Sequence, residues 1–165
     1  MKSSFALRQF KPSDIDKVIY INQVSLPENY SSYFFMDLFQ QFPETFIVAE
    51  EDGQIMGYVM CRIETGLPSF RTFDIPKRGH IISIAVLPQY RNRGVGYALA
   101  RRALQAMGTY KAKECYLEVR VSNLPATNLY KKLGFKITKI VKGYYADGES
   151  AHIMTSPLPF KEELG

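Results

Sequence analysis

The feature that most constrains this 165-residue chain is the run His80 to Leu87, HIISIAVL, closed by Pro88. A continuous apolar stretch of that length reads as a strand buried on both faces, and a proline marks where it leaves the sheet. It passes into Gln89-Tyr90-Arg91-Asn92-Arg93-Gly94-Val95-Gly96 and then into a helical segment rich in Ala98, Leu99, Ala100, Ala103 and Leu104. A central strand that turns through glycines into a helix commits the chain to a mixed α/β sheet.

The flanking segments fit that frame. A short strand is expected around Phe5 to Phe10, then a helix opened by Pro12-Ser13-Asp14 with Ile15, Val18, Ile19 and Asn22 on one face and Leu26-Pro27 as its end. Ser31 to Gln41 carries Phe34, Phe35, Leu38 and Phe39 at helical spacing before Pro43. Thr45 to Ala49, the turn Asp52-Gly53 and Gln54 to Ile63 read as a hairpin. Glu64 to Arg78, with Gly66, Pro68 and Pro76, reads as a long aperiodic connection bordering a functional site. Glu114 to Val121 is a strand, Pro125 opens a helix ending at Leu133-Gly134, and Phe135 to Val141 and Ala151 to Thr155 are the last strands.

A chain of this length suits one domain spanning residues 1–165, and a 46% hydrophobic, 22% charged composition is that of a folded globular protein. The start lacks the apolar core of a secretion signal, and no window approaches the roughly 18 apolar residues of a membrane span, so the cytoplasm is the expected location. Cys61 and Cys115 sit in strand-like runs without metal spacing and read as buried small hydrophobes, so no metal is expected. The net charge of +5 favours an anionic ligand, which by itself separates neither nucleic acid from a phosphorylated cofactor nor the reverse.

The glycine turn narrows this. The first amides of a helix lack internal acceptors and carry the positive end of the helix dipole, so together they can hold a pyrophosphate, and Gly94 and Gly96 let that backbone approach. The chain has no GxxxxGK[ST], which excludes a P-loop, and Leu99 stands where a dinucleotide-binding GxGxxG needs its third glycine.

Ile84 to Gly96 resembles the acetyl-coenzyme A motif of the GNAT superfamily of N-acetyltransferases, Q/R-x-x-G-x-G/A after a bulged strand. Asn123-Leu124-Pro125-Ala126 followed by Leu129-Tyr130-Lys131-Lys132-Leu133-Gly134-Phe135 resembles its later motif. The resemblance implies a central mixed twisted sheet of about seven strands, a splayed fourth and fifth strand pair, and about four helices. It implies acetyl-coenzyme A as co-substrate, held by Ile84, Ala85 and Val86, by the amides of Arg91, Asn92, Arg93, Gly94, Val95, Gly96 and Tyr97, and by Asn123 and Tyr130. The N–H near Val86 would then polarise the thioester carbonyl, and Tyr130 would protonate the leaving thiolate.

A closer resemblance, over nearly the whole chain, is to protein N-terminal acetyltransferases of the NatA catalytic-subunit type, with their archaeal and ribosomal-protein alanine acetyltransferase relatives. It is carried by Leu26 to Tyr30, Lys77 to Val86, Tyr116 to Asn123 and Gly143 to Glu149. It implies protein N-termini as substrate, attacked directly in a ternary complex, and leaves an auxiliary subunit or the ribosome open as a further partner. An α-amine titrates near pH 8 and a lysine near 10.4, so freeing the nucleophile at pH 7 costs about 1 kcal/mol for the former and about 5 for the latter. A modest base therefore suffices, and His80 with Glu118, sharing a bound water, are the expected pair, with Glu28 beside the incoming ammonium. Leu26, Pro27, Glu28, Tyr30, Tyr144 and Tyr145 are the expected peptide-binding residues. Cys115, early in an apolar strand with no base nearby, does not read as a nucleophile.

Two other classes compete. A lysine or small-amine acetyltransferase would use the same cofactor site, and a binding module would hold acetyl-coenzyme A without turnover. The intact Tyr130, Glu118 and His80 argue against the module, and the lack of a combined basic and aromatic face argues against a nucleic-acid binder.

Overall fold

The computed structural model describes residues 4–66 and 76–161. Its strands are β1 (Ala6–Gln9), β2 (Ile47–Glu51), β3 (Gln54–Thr65), β4 (Lys77–Val86), β5 (Glu114–Arg120), β6 (Lys136–Val141) and β7 (Ala151–Pro157), and its α-helices are α1 (Ile15–Ser25), α2 (Ser32–Gln41), α3 (Val95–Ala106) and α4 (Leu124–Lys132). The strands form one sheet in the order β1-β2-β3-β4-β5-β7-β6. Every neighbouring pair is antiparallel except β4 and β5, which run parallel.

Helices cover both faces. α1 and α2 place Val18, Ile21, Phe35 and Leu38 against Val48, Tyr58, Met60 and Ala85 on one side. α3 packs Leu99, Ala100, Ala103 and Leu104 against Ile47, Val59, Cys61 and Leu117 on the other. The register explains this: β4 and β5 send alternate residues to opposite faces, so Cys115, Leu117 and Val119 are buried while Tyr116, Glu118 and Arg120 face the other way. At Gly79, β4 lies directly against Met107, just past the end of α3, where a Cβ would clash with the sulfur.

β4 and β5 pair only from Arg78 to His80 against Glu114 to Tyr116. Just beyond, β4 has one extra residue, Ile82, between the partners of Met60 and Cys61 on β3. A bulge of this kind bends a strand and re-aims its side chains. It splays β4 from β5 and leaves a wedge-shaped gap in the middle of the sheet, as the resemblance implies.

The connection expected over Glu64 to Arg78 is shorter than the sequence suggests. Glu64 and Thr65 complete β3, Lys77 and Arg78 begin β4, and Glu64 pairs with Arg78. Their charged side chains interrupt the apolar pattern by which strands are recognised, yet they sit at a sheet end where water reaches them. Pro68 lies outside the described residues.

Candidate active site

Two cavities meet in the splayed gap. A trough of about 690 Å³ runs from Ile84, Ala85 and Val86 to the turn before α3, and a groove of about 500 Å³ is walled by Glu28, Tyr30, Glu118, Tyr144 and Tyr145. Ser25, Leu26, Ile84, Asn123, Ala126 and Tyr130 line both.

The floor of the trough is main chain. Asn92 and Gly94 are left-handed, at φ 62° and 81°, conformations that asparagine and glycine tolerate best. The first helical bond of α3 is the Ala98 N–H to the Gly94 carbonyl, 3.0 Å, so the preceding amides have no helical acceptor. The side chains of this turn are engaged elsewhere: Arg91 Nε donates to the Val86 carbonyl at 3.0 Å, and Arg93 reaches Ser4 at 3.2 Å and makes a closer ion pair with Glu51. The Leu87 N–H bonds the Met56 carbonyl on β3, so by strand alternation the Val86 N–H points the opposite way, into the gap.

Asn123 caps α4, its side chain accepting from the Ala126 N–H at 3.2 Å, and still forms part of both cavity walls. Tyr130 is 7% exposed where the cavities meet. Burial raises its hydroxyl, so it stays protonated.

On the groove side, His80 and Glu118 touch directly, Nε2 to Oε2 at 2.8 Å, where the sequence suggested a water between them. The cause is register: parallel pairing sets His80 opposite Tyr116, so Glu118, two residues on, reaches back to the ring. His80 Nδ1 lies 3.0 Å from Oε2 of Glu64, and the ring stacks on Tyr116 at 4.1 Å. Glu64 also takes the Tyr116 hydroxyl on its other oxygen and the Arg62 guanidinium at 2.9 Å. Burial pushes the Glu64 carboxyl up, but the bonds from Tyr116, His80 and Arg62 outweigh it and hold it below its ordinary value.

Glu28 is not a free carboxylate. Arg120 contacts it at 2.7 Å, Asp147 at 2.8 Å and Glu149 at 2.9 Å, and lies 4.1 Å over the Tyr145 ring. The loop carrying Leu26, Pro27, Glu28 and Tyr30 is also pinned from within. Asn22 donates to the Glu28 carbonyl at 3.0 Å and to Tyr58 at 3.1 Å, Tyr58 bonds Ser83 at 2.7 Å, and the Tyr30 N–H donates to Asn22 at 3.3 Å. Tyr30 stacks on Phe34 and Tyr144 meets Tyr145 edge-on. Cys61 and Cys115 are free and buried, and burial pushes both thiols up, away from the reactive thiolate.

The residues that sequence reasoning missed are Glu64, Arg62 and the clamping role of Arg120. One signal was available. The alternation Arg62/Glu64, Arg78/His80 and Tyr116/Glu118/Arg120 puts polar residues on one face of three consecutive strands, which ordinary solvent exposure of a central sheet does not explain. Among the described residues no cluster of His, Cys, Asp or Glu could hold a metal, and no helix is long and apolar enough to cross a membrane.

A splayed parallel pair, a trough floored by helix-start amides and a carboxylate-lined groove that meets it at Tyr130 make up this site. The chain belongs to the acetyltransferase (GNAT) family, whose model matches residues 15–135. It is 49% identical, over 156 residues covering 93% of each chain, to the N-alpha-acetyltransferase of Sulfurisphaera tokodaii. Its fold is similar to that of Ard1 from Thermoplasma volcanium, with a TM-score of 0.79 and 33% identity over 94% of this chain and 99% of that one. It is also similar to that of Chaetomium thermophilum Naa20 in complex with a bisubstrate analogue, with a TM-score of 0.81 and 29% identity over 97% and 93%.

Proposed function

We propose that this protein transfers the acetyl group of acetyl-coenzyme A to the free α-amine at protein N-termini. The observation that carries the reading is the meeting of trough and groove at Tyr130, with Glu118 in the groove wall. The N-alpha-acetyltransferase name of the Sulfurisphaera tokodaii relative supports it.

The trough fits acetyl-coenzyme A: the amides of residues 91–97 would hold the pyrophosphate and the open edge of Ile84 to Val86 the pantetheine arm, and Arg93, whose side chain is bound to Ser4 and Glu51, would take part through its main chain. That co-substrate supplies an acetyl group already activated as a thioester. The Val86 N–H is aimed to stabilise negative charge on the acetyl oxygen. Glu118 takes the proton from the amine, and Tyr130 gives one to the departing sulfur. Glu28, held by Arg120, keeps a negative potential at the groove mouth that attracts an ammonium. The tyrosines Tyr30, Tyr144 and Tyr145 wall the path of the following residues, leaving their side chains largely unread. The reading extends to one domain over the chain, and it leaves a place for an auxiliary subunit or the ribosome in presenting the nascent terminus.

The test uses two matched peptides with acetyl-coenzyme A, one with a free terminus and an acetylated lysine, the other with a blocked terminus and a free lysine. Thiol release and mass spectrometry should find acetylation of the first alone, lowered between about 100-fold and 10,000-fold by Glu118→Gln. Transfer only to the second peptide would make this a lysine acetyltransferase and overturn the reading.

A further inference from the structure

Both ring nitrogens of His80 face carboxylate oxygens, Glu64 at 3.0 Å and Glu118 at 2.8 Å. An ionised carboxylate only accepts, a neutral imidazole donates from one nitrogen, and a charged imidazole donates from both. The two contacts are hydrogen bonds at the same time only when both nitrogens carry a proton. The surrounding charges agree. Glu64 and Glu118 bring two carboxyl groups to the ring, and Arg62 on β3 pairs with the first. Arg78 on β4 is taken by Glu114 and lies over the Tyr116 ring. A charged His80 completes the balance.

We propose that Glu64 is a positioning residue for the acetyl transfer: it holds His80 as a donor from both ring nitrogens, so that His80 orients Glu118 and Glu118 alone serves the groove as base. This rests on the proposed reading of Glu118. With both nitrogens donating, His80 has no lone pair to take a proton from the amine. It also sits behind the groove wall that Ile81 to Ile84 and Glu118 form. Its bond fixes one carboxylate oxygen of Glu118 and leaves the other for the substrate. Stacking on Tyr116, whose hydroxyl is itself bound to Glu64, keeps the ring from turning. Outer partners of this kind are worth about 10-fold to 100-fold in metal sites, where the same logic orients a ligand.

The experiment is nitrogen-15 NMR of the histidine rings beside steady-state kinetics. The chain has two histidines, and His152→Gln assigns them. In the wild type both His80 nitrogens should give the signals of protonated nitrogens under the conditions of the kinetic assay. Glu64→Gln keeps the shape but removes the charge: Nδ1 should move to the signal of an unprotonated nitrogen and kcat should fall about 10-fold or more. KM for both substrates and the melting temperature should hold. An unprotonated His80 nitrogen in the wild type overturns the proposal, and so does a Glu64→Gln variant with unchanged kcat, or one whose kcat falls while both ring signals stay put. Should that variant fail to fold, Glu64→Asp, which withdraws the carboxylate by one methylene, must move the Nδ1 signal and lower kcat in the same direction. A wild type that never acetylates the terminal peptide defeats the proposed function instead, while the ring signals still report whether Glu64 holds His80.

Discussion

Tyr130 shows how one residue's surroundings fix its chemistry. Burial raises its hydroxyl, with the nearby Cys115, Tyr145 and Cys61 adding to the effect, so at neutral pH it holds a proton. A departing thiolate is a weaker base than this tyrosinate, since an ordinary thiol titrates near 8.5, so the proton moves to it uphill, along a hydrogen bond from the hydroxyl to the sulfur. Help with its departure should therefore sit at the low end of acid catalysis. Tyr130→Phe is expected to lower kcat by about 100-fold, with KM for the peptide and the melting temperature nearly unchanged, because the ring still packs on Phe135 at 5.7 Å. Initial rates and a thermal melt check this, and a phenylalanine variant of full activity would assign the proton to another donor.

At the scale of elements, Arg120 joins segments far apart in sequence. From β5 it holds Glu28 in the loop after α1 and Asp147 and Glu149 in the loop before β7, the two loops that wall the groove. Ion pairs that water can reach add little to stability, so its value lies in placing the loops. Arg120→Ala should raise KM for the peptide about 10-fold, roughly 1.4 kcal/mol, and leave KM for acetyl-coenzyme A alone; kinetics with each substrate varied in turn decide it. The backbone N–H of Glu149, then Arg120, lower the Asp147 carboxyl, and Ser122, then Arg120, lower that of Glu149. A lowered folded value means the clamp is complete above the ordinary carboxylate range and is lost as pH falls through the lowered values, so it holds throughout the neutral range. Most elements were legible: the apolar run of β4, the Asp52-Gly53 turn and the opening of α4 at Pro125 each follow local rules. The clamp was not, because Arg120 and Glu28 are 92 residues apart and only the register of β5 brings them together. The place of Glu64 was hidden likewise, by its position in a segment whose composition reads as loop.

For the whole molecule, the net charge of +5 resides in one stretch. Lys131, Lys132, Lys136, Lys139 and Lys142 lie within twelve residues that hold no acid, and with them set aside sixteen basic residues face sixteen acidic ones. The stretch runs from the end of α4, where Lys132 lines the trough, along the exposed edge strand β6. Lysines on an edge strand discourage pairing with another chain. They also set up a positive field beside the entrance for an anionic carrier, and such fields act over a screening length of about 10 Å at 0.1 M salt and about 3 Å at 1 M. KM for acetyl-coenzyme A should therefore rise several-fold across that range while KM for an uncharged-side-chain peptide changes less. Replacing Lys136, Lys139 and Lys142 together by glutamine should flatten the dependence on salt without lowering kcat at saturation, since none of the three lines either cavity. A wild-type KM for acetyl-coenzyme A that ignores salt would leave edge protection as the work of these lysines, and aggregation of the triple variant, followed by light scattering, would then be the expected consequence of their loss.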